Sequence, residues 1–225
     1  FAPGLGPQNY IVTSATVTAT IASGDAFAYD PTYDSFRSSL LPSDPQFAAD
    51  TDAGLPIELY GTGFSPGLNP FAYGEDFAWG AGGPLDEDVR FAFAADLENA
   101  ALRNVSNNVR DRFETNPFAI GQTSLNPGDL VPQGAEFSFD LDTSDPGIAG
   151  YLAQGLNSGI VSFSLSSLHV AGQQGPIEFP DFWSKEATDA GAVPIQLELT
   201  VQIVPTPATA GLMLVGGLVA TRRRR

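Results

Sequence analysis

Apolar and polar residues alternate with a period of two over several short stretches, and this pattern predicts strands. In 10–21, Ile11, Ala15, Val17, Ala19 and Ile21 make one face, and Ser14, Thr16, Thr18 and Thr20 make the other. That is the signature of a half-buried strand rich in β-branched residues. The same alternation sets Ala135, Phe137, Phe139 and Leu141 against Glu136, Ser138 and Asp140. It also sets Val161, Phe163 and Leu165 against the serines of 160–165. Over 193–203 it lines up Val193, Ile195, Leu197, Leu199, Val201 and Ile203 opposite Gln196, Glu198, Thr200 and Gln202. Weaker runs at 57–60, 89–95, 101–105 and 108–113 read as further strands, and the aromatic stretch 71–79 as part strand, part loop.

One segment changes period. Asp145 followed by Pro146 offers an N-cap carboxylate and a proline suited to the first helical position. Ile148, Tyr151, Leu152 and Leu156 then recur at helical spacing up to Asn157-Ser158-Gly159. Turn residues punctuate the rest, most clearly Asn126-Pro127-Gly128-Asp129. Between 26 and 56 no period is sustained, which predicts a long loop carrying aromatics and carboxylates; loops of that length are often functional. Together these features predict an all-β fold: an antiparallel jelly-roll-type β-sandwich with one short capping helix, followed by a C-terminal hydrophobic helix. The domain expectation is one acidic body over 1–203, with a sub-boundary conceivable near Gly74, and a separate segment over 204–225.

That last segment has three parts. Val204-Pro205-Thr206-Pro207 should stop any regular structure, since proline offers no backbone donor. An uncharged, mostly apolar run extends from Ala208 to Thr221, and Arg222, Arg223, Arg224 and Arg225 follow it. A helix over the apolar run would rise about 20 Å, short of the roughly 30 Å of membrane hydrocarbon. The arginines would keep their end on the cytoplasmic side. This arrangement resembles the PEP-CTERM sorting signal of secreted bacterial proteins, with Thr206 where that family usually has glutamate. The resemblance implies export, transient anchoring in the inner membrane through the C-terminal transmembrane helix, and cleavage by an exosortase-type membrane peptidase. The protein would then reside at the cell surface or outside the cell. A second resemblance covers 85–203, where Phe182-Trp183-Ser184-Lys185-Glu186-Ala187 precedes the strand Pro194–Val201. It is similar to the closing strands of disaggregatase-related, carbohydrate-binding jelly-roll modules, and implies a sandwich and binding of extracellular polysaccharide.

Charge narrows the partners. Four of the ten basic residues sit in the tail, so the first 204 residues set all 26 acidic groups against the other six, a net charge near −20. Such a surface repels phosphate backbones, and nucleic acid is not an expected partner. It suits divalent cations and solubility. The chain has no cysteine, which excludes disulfides, thiolate metal sites and a cysteine nucleophile.

Catalytic chemistry finds little to work with. His169 is the single histidine, and no G-x-S-x-G elbow presents a serine. Paired carboxylates, which a glycosidase requires across a cleft, are plentiful but fix no distance in sequence. The expectation is therefore a protein without catalytic activity, the alternatives being a carbohydrate-binding module and a secreted polysaccharide-degrading enzyme. For sugar binding the candidates are Tyr33, Tyr73, Trp79 and Trp183, aromatic rings in loop-like surroundings that could stack on a pyranose. For calcium, the one cofactor considered, they are Asp50, Asp52 and Glu58 beside Gly54, and Asp140, Asp142 and Asp145. Neither set is an EF-hand, because Gly61 and Tyr151 stand where its closing glutamate would be. The competing reading of both is local bonding of aspartate to turn backbone.

Overall fold

Ten strands, two α-helices and two short 3-10 helices are found in the computed structural model, which describes residues 2–25, 27–64, 92–166, 180–184, 187 and 191–204. Strand β1 (Tyr10–Thr20) lies in the middle of a three-stranded antiparallel sheet, between β10 (Gln196–Ile203) and β8 (Glu136–Asp140). A second antiparallel sheet is built around β4 (Glu58–Phe64). It pairs with β5 (Ala92–Glu98), with the two-residue β7 (Ala119–Ile120) and with β9 (Phe163–Ser166), while β6 (Ala101–Asn104) pairs with β5. A short parallel pair, β2 (Tyr29–Asp30) with β3 (Leu55–Pro56), closes the long loop between them. The all-β, mainly antiparallel character expected from the alternating pattern is therefore present.

A single buried cluster draws on both sheets. Ala15, Val17 and Ala19 of β1 and Phe137 and Phe139 of β8 meet Ile57, Leu59 and Phe118 from the β4 side. Phe137 is its hub: it stacks on Phe27 and Phe139 at 6.2 and 6.5 Å, and meets Tyr29 and Phe182 edge-on at 5.9 and 6.4 Å. Gly121 passes directly over these rings. A Cβ there would stand 2.8–2.9 Å from Phe137 and Phe139, so no larger residue fits without moving the aromatic layer.

Helix α2 (Pro146–Ser158) forms as its sequence requires. The Asp145 carboxylate accepts from the N–H groups of Gly147 and Ile148, Pro146 begins the helix, and Gly159 ends it at φ 82°. That left-handed conformation is open to glycine at no steric cost. Ile148, Tyr151, Leu152 and Leu156 are buried against the core. The Tyr151 hydroxyl donates to the Ser162 carbonyl and accepts from the Thr62 N–H, tying the helix to the second sheet.

Three expectations need correction. Ile11 does not share a face with Ala15: the register shifts between Val12 and Ser14, so Tyr10 and Val12 turn inward and Ile11 is exposed. A bulge inserts one residue and inverts the alternation on one side of it. The stretch 108–113 is no strand; Asn108–Asp111 form the one-turn helix α1, and Arg112 ends it in a left-handed conformation. Finally, only Leu199 and Val201 of the apolar face at 193–203 pack on the core, while Val193, Ile195, Leu197 and Ile203 are about 40% exposed. Among the described residues β10 is bonded on one edge only. The runs at 71–79 and 89–91 and the Gly74 boundary lie outside the described residues.

Removing the hub ring should cost more than removing any exposed apolar group. Phe137→Ala is expected to lower the unfolding free energy by about 3–5 kcal/mol, whereas Ile11→Thr should change it by less than about 0.5 kcal/mol. Urea denaturation followed by circular dichroism measures both, and equal losses would contradict this placement of the core.

Candidate functional site

The long loop predicted from the absence of any period does carry a concentration of acids. Asp30 is held in β2 with 1% exposure. It lies four residues from Asp34 and is joined across the parallel pair to Pro56, shortly after Asp50 and Asp52. Each of these four aspartates contributes a carboxylate oxygen to a group in which all lie within 4.8 Å of one another. Among the described residues no other set of three or more acids converges in this way.

Thr32 organises part of the group. Its N–H and its hydroxyl both lie 2.7 Å from Asp30 Oδ1, and the same hydroxyl lies 2.7 Å from Asp52 Oδ2. The other oxygen of Asp30, Oδ2, is buried and has no hydrogen-bond partner among the described residues. Crowding shows in the acidities. Burial, and then the charges of Asp50, Asp30 and Asp52, push the Asp34 carboxyl up to about 7. Burial and the bond to Asp52 raise Asp50, while bonds from Thr32 and Asp50 lower Asp52.

Of the residues singled out for calcium, Asp50 and Asp52 come together here. Glu58 does not: it points into the second sheet with 2% exposure, where the Tyr60 hydroxyl donates to it at 3.0 Å. Burial, and then the charge of Glu58, pushes the pKa of the Tyr60 hydroxyl well above its usual value. Asp142 and Asp145 follow the competing reading, while Asp140 is bonded across the sheet. Asp140 accepts from the Thr16 hydroxyl, Asp142 from the N–H and hydroxyl of Ser144, and Asp145 caps α2. Asp30 and Asp34 were not singled out in the sequence. The only local signal was the turn Asp30-Pro31-Thr32.

A second polar group adjoins the first through Tyr33. Its hydroxyl donates to Glu114 at 2.9 Å and accepts from the Thr115 N–H at 2.9 Å, and burial pushes it up to about 12. Arg103 grips the fully buried Asp96 with two nitrogens, bonds the Glu114 carbonyl at 3.0 Å and lies 4.3 Å over the Phe113 ring. Every charge here has a partner, which is the mark of a structural network. Tyr33 belongs to that network, so its hydroxyl is already committed. Trp183 is half-buried where its N–H meets the Thr20 carbonyl at 3.0 Å. Tyr73, Trp79 and His169 lie outside the described residues. A groove of about 550 Å³ between Gln122–Leu125 and Pro132–Glu136 has no aromatic wall among those residues.

At the C-terminal end, the Val204 N–H donates to the Asn9 carbonyl at 2.8 Å. Pro205, Thr206, Pro207, the apolar run and Arg222–Arg225 lie outside the described residues. Among the described residues no helix is long and apolar enough to cross a membrane. Fold and site together define an acidic, mainly antiparallel β protein with one carboxylate cluster that lacks a cationic partner among the described residues. Comparison with protein-family models, curated proteins and solved structures finds no match.

The raised Asp34 predicts a pH effect. Its folded value near 7 exceeds the unfolded value of 3.8, so its contribution to stability is complete below about 4 and is lost as pH rises through 7. Asp34→Asn, a mimic of the neutral acid, should escape that loss. With chelator present, the melting temperature of the variant relative to the parent is expected to climb between pH 4 and 8. A difference that stays constant over that range would contradict the assignment.

Proposed function

We propose that this is an exported, non-catalytic bacterial protein of the cell surface or extracellular matrix, delivered through a C-terminal sorting signal. The observation that carries this reading is the tripartite tail: Val204-Pro205-Thr206-Pro207, the apolar run 208–221, and Arg222–Arg225. Its partners would be an exosortase-type peptidase and, transiently, the inner membrane through the apolar helix. The register of β10 supports the same reading. Its pairing with β1 ends at Ile203, ahead of the prolines, so cleavage there would leave every pair of that sheet intact. The high negative charge suits a hydrated polymeric layer. We further take the body to be a jelly-roll-type sandwich.

A second reading, carbohydrate binding, is favoured by one observation. Trp183 is half-buried beside Phe182, with its backbone fixed to the end of β1. An aromatic face held on a rigid strand end is what stacking on a pyranose requires.

In a bacterium that has the peptidase, the secreted protein should have an intact mass lacking everything beyond the proline pair. A secreted form that still carries Arg222–Arg225 would overturn the sorting reading. For the second reading, the protein should be retained on an immobilised polysaccharide, and Trp183→Ala should abolish retention while circular dichroism stays unchanged. Unaltered retention would remove Trp183 from the binding site.

A further inference from the structure

We propose that Asp30, Asp34, Asp50 and Asp52 form a calcium site that fastens the long loop 31–54 to the body. Two independent observations meet at this place. The first is the convergence of four carboxylates whose oxygens span no more than 4.8 Å. Calcium binds oxygen at about 2.3–2.6 Å, so ligands on opposite sides of the ion stand about 4.6–5.2 Å apart. Magnesium would draw the same pair in to about 4.1 Å. Oxygens within 4.8 Å of one another can reach across the larger ion.

The second is the state of Asp30. It is 1% exposed, one oxygen is satisfied by Thr32, and Oδ2 has no hydrogen-bond partner among the described residues. A buried, unpaired carboxylate oxygen is costly unless an ion or donor meets it. The carboxylate that bears it is one of the four that converge. No arginine or lysine among the described residues pairs with any of the four; the ion pairs there engage Asp44, Asp96, Glu98, Asp111 and Glu114. A divalent cation bound by the four would bring positive charge to the carboxylate that carries the unpartnered oxygen. An all-oxygen donor set without histidine or cysteine selects hard cations over zinc, copper or nickel.

The site also has a mechanical logic. Asp30 and Asp34 stand at the start of the loop, Asp50 and Asp52 near its end, and among the described residues the only sheet pairing between the two ends is the two-residue β2–β3 contact. An ion bound by both ends would close the loop by coordination where hydrogen bonds are few.

The full chain, freed of metal with chelator and dialysed, is titrated with calcium chloride by calorimetry. One ion per chain is expected, with a dissociation constant in or below the range of about 0.1–1 mM typical of extracellular modules. Asp50→Asn and Asp52→Asn, both at exposed positions where folding should be preserved, are each expected to weaken binding about tenfold or more. Asp142→Asn, in the other acidic turn, should bind as the parent does. Saturating calcium should raise the melting temperature of the parent and of Asp142→Asn but not of the two loop variants. Absence of saturable binding would overturn the proposal. So would binding that survives both loop substitutions, or magnesium binding as tight as calcium.

Discussion

Pairing of β1 on both of its edges is the constraint from which the remaining architecture follows. Its residues meet β10 from Tyr10↔Ile203 to Thr18↔Gln196 and β8 from Thr16↔Asp140 to Thr20↔Glu136. Segments nearly two hundred residues apart in sequence are thereby held side by side. Once that register is set, the bulge between Val12 and Ser14 decides which side chains face inward. Phe137 and Phe139 are then placed against Val17 and Ala19, and Gly121 must remain glycine to pass over their rings. Helix α2 completes the enclosure by burying Leu152 and Tyr151 against the same cluster.

The protein is strongly acidic, and it handles its buried and half-buried carboxylates in different ways. Asp145 sits at the start of α2, where two free backbone N–H groups and the helix dipole favour its charge. Asp96 is neutralised in place by Arg103 and accepts a third bond from the Asn116 N–H. Glu58 receives the Tyr60 hydroxyl. The loop aspartates differ from all of these. Thr32 stands between two of them, no cationic side chain pairs with any among the described residues, and burial with neighbouring acids raises Asp34 and Asp50. The contrast is chemical: the first three are solved by groups close in the chain or the sheet, and the last is left to something from solution.

What could be read from the sequence was local. The α2 boundaries follow from Asp145, Pro146 and Gly159, whose chemistry acts over four residues or fewer. The strand at 136–140 follows from a clean alternation beneath two phenylalanines. What escaped was set at a distance. A bulge leaves no mark in the pattern until the partner strand is known, so Ile11 was assigned to the wrong face. Asn108–Asp111 is too short for a 3.6-residue period to show. The acidic group was only half visible, because Asp50-x-Asp52 is a motif whereas Asp30 and Asp34 join it through a two-residue parallel pairing that has no periodicity of its own. Glu58 fitted the spacing of a ligand but is buried in β4 and accepts from the Tyr60 hydroxyl.

The antiparallel register of β1 and β10 also determines how the domain would respond to tension. Tyr10 is opposite Ile203, and the next bond outward joins Val204 to Asn9. The entry to the first strand and the exit from the last therefore lie at one end of the sheet. A pull between these two points would load a single hydrogen bond at a time and open the sheet like a zip. A pull in opposite directions along the strands would have to shear the whole ladder at once. Held by one end alone the domain bears no such load, but stretched between its two ends it would yield first along this seam.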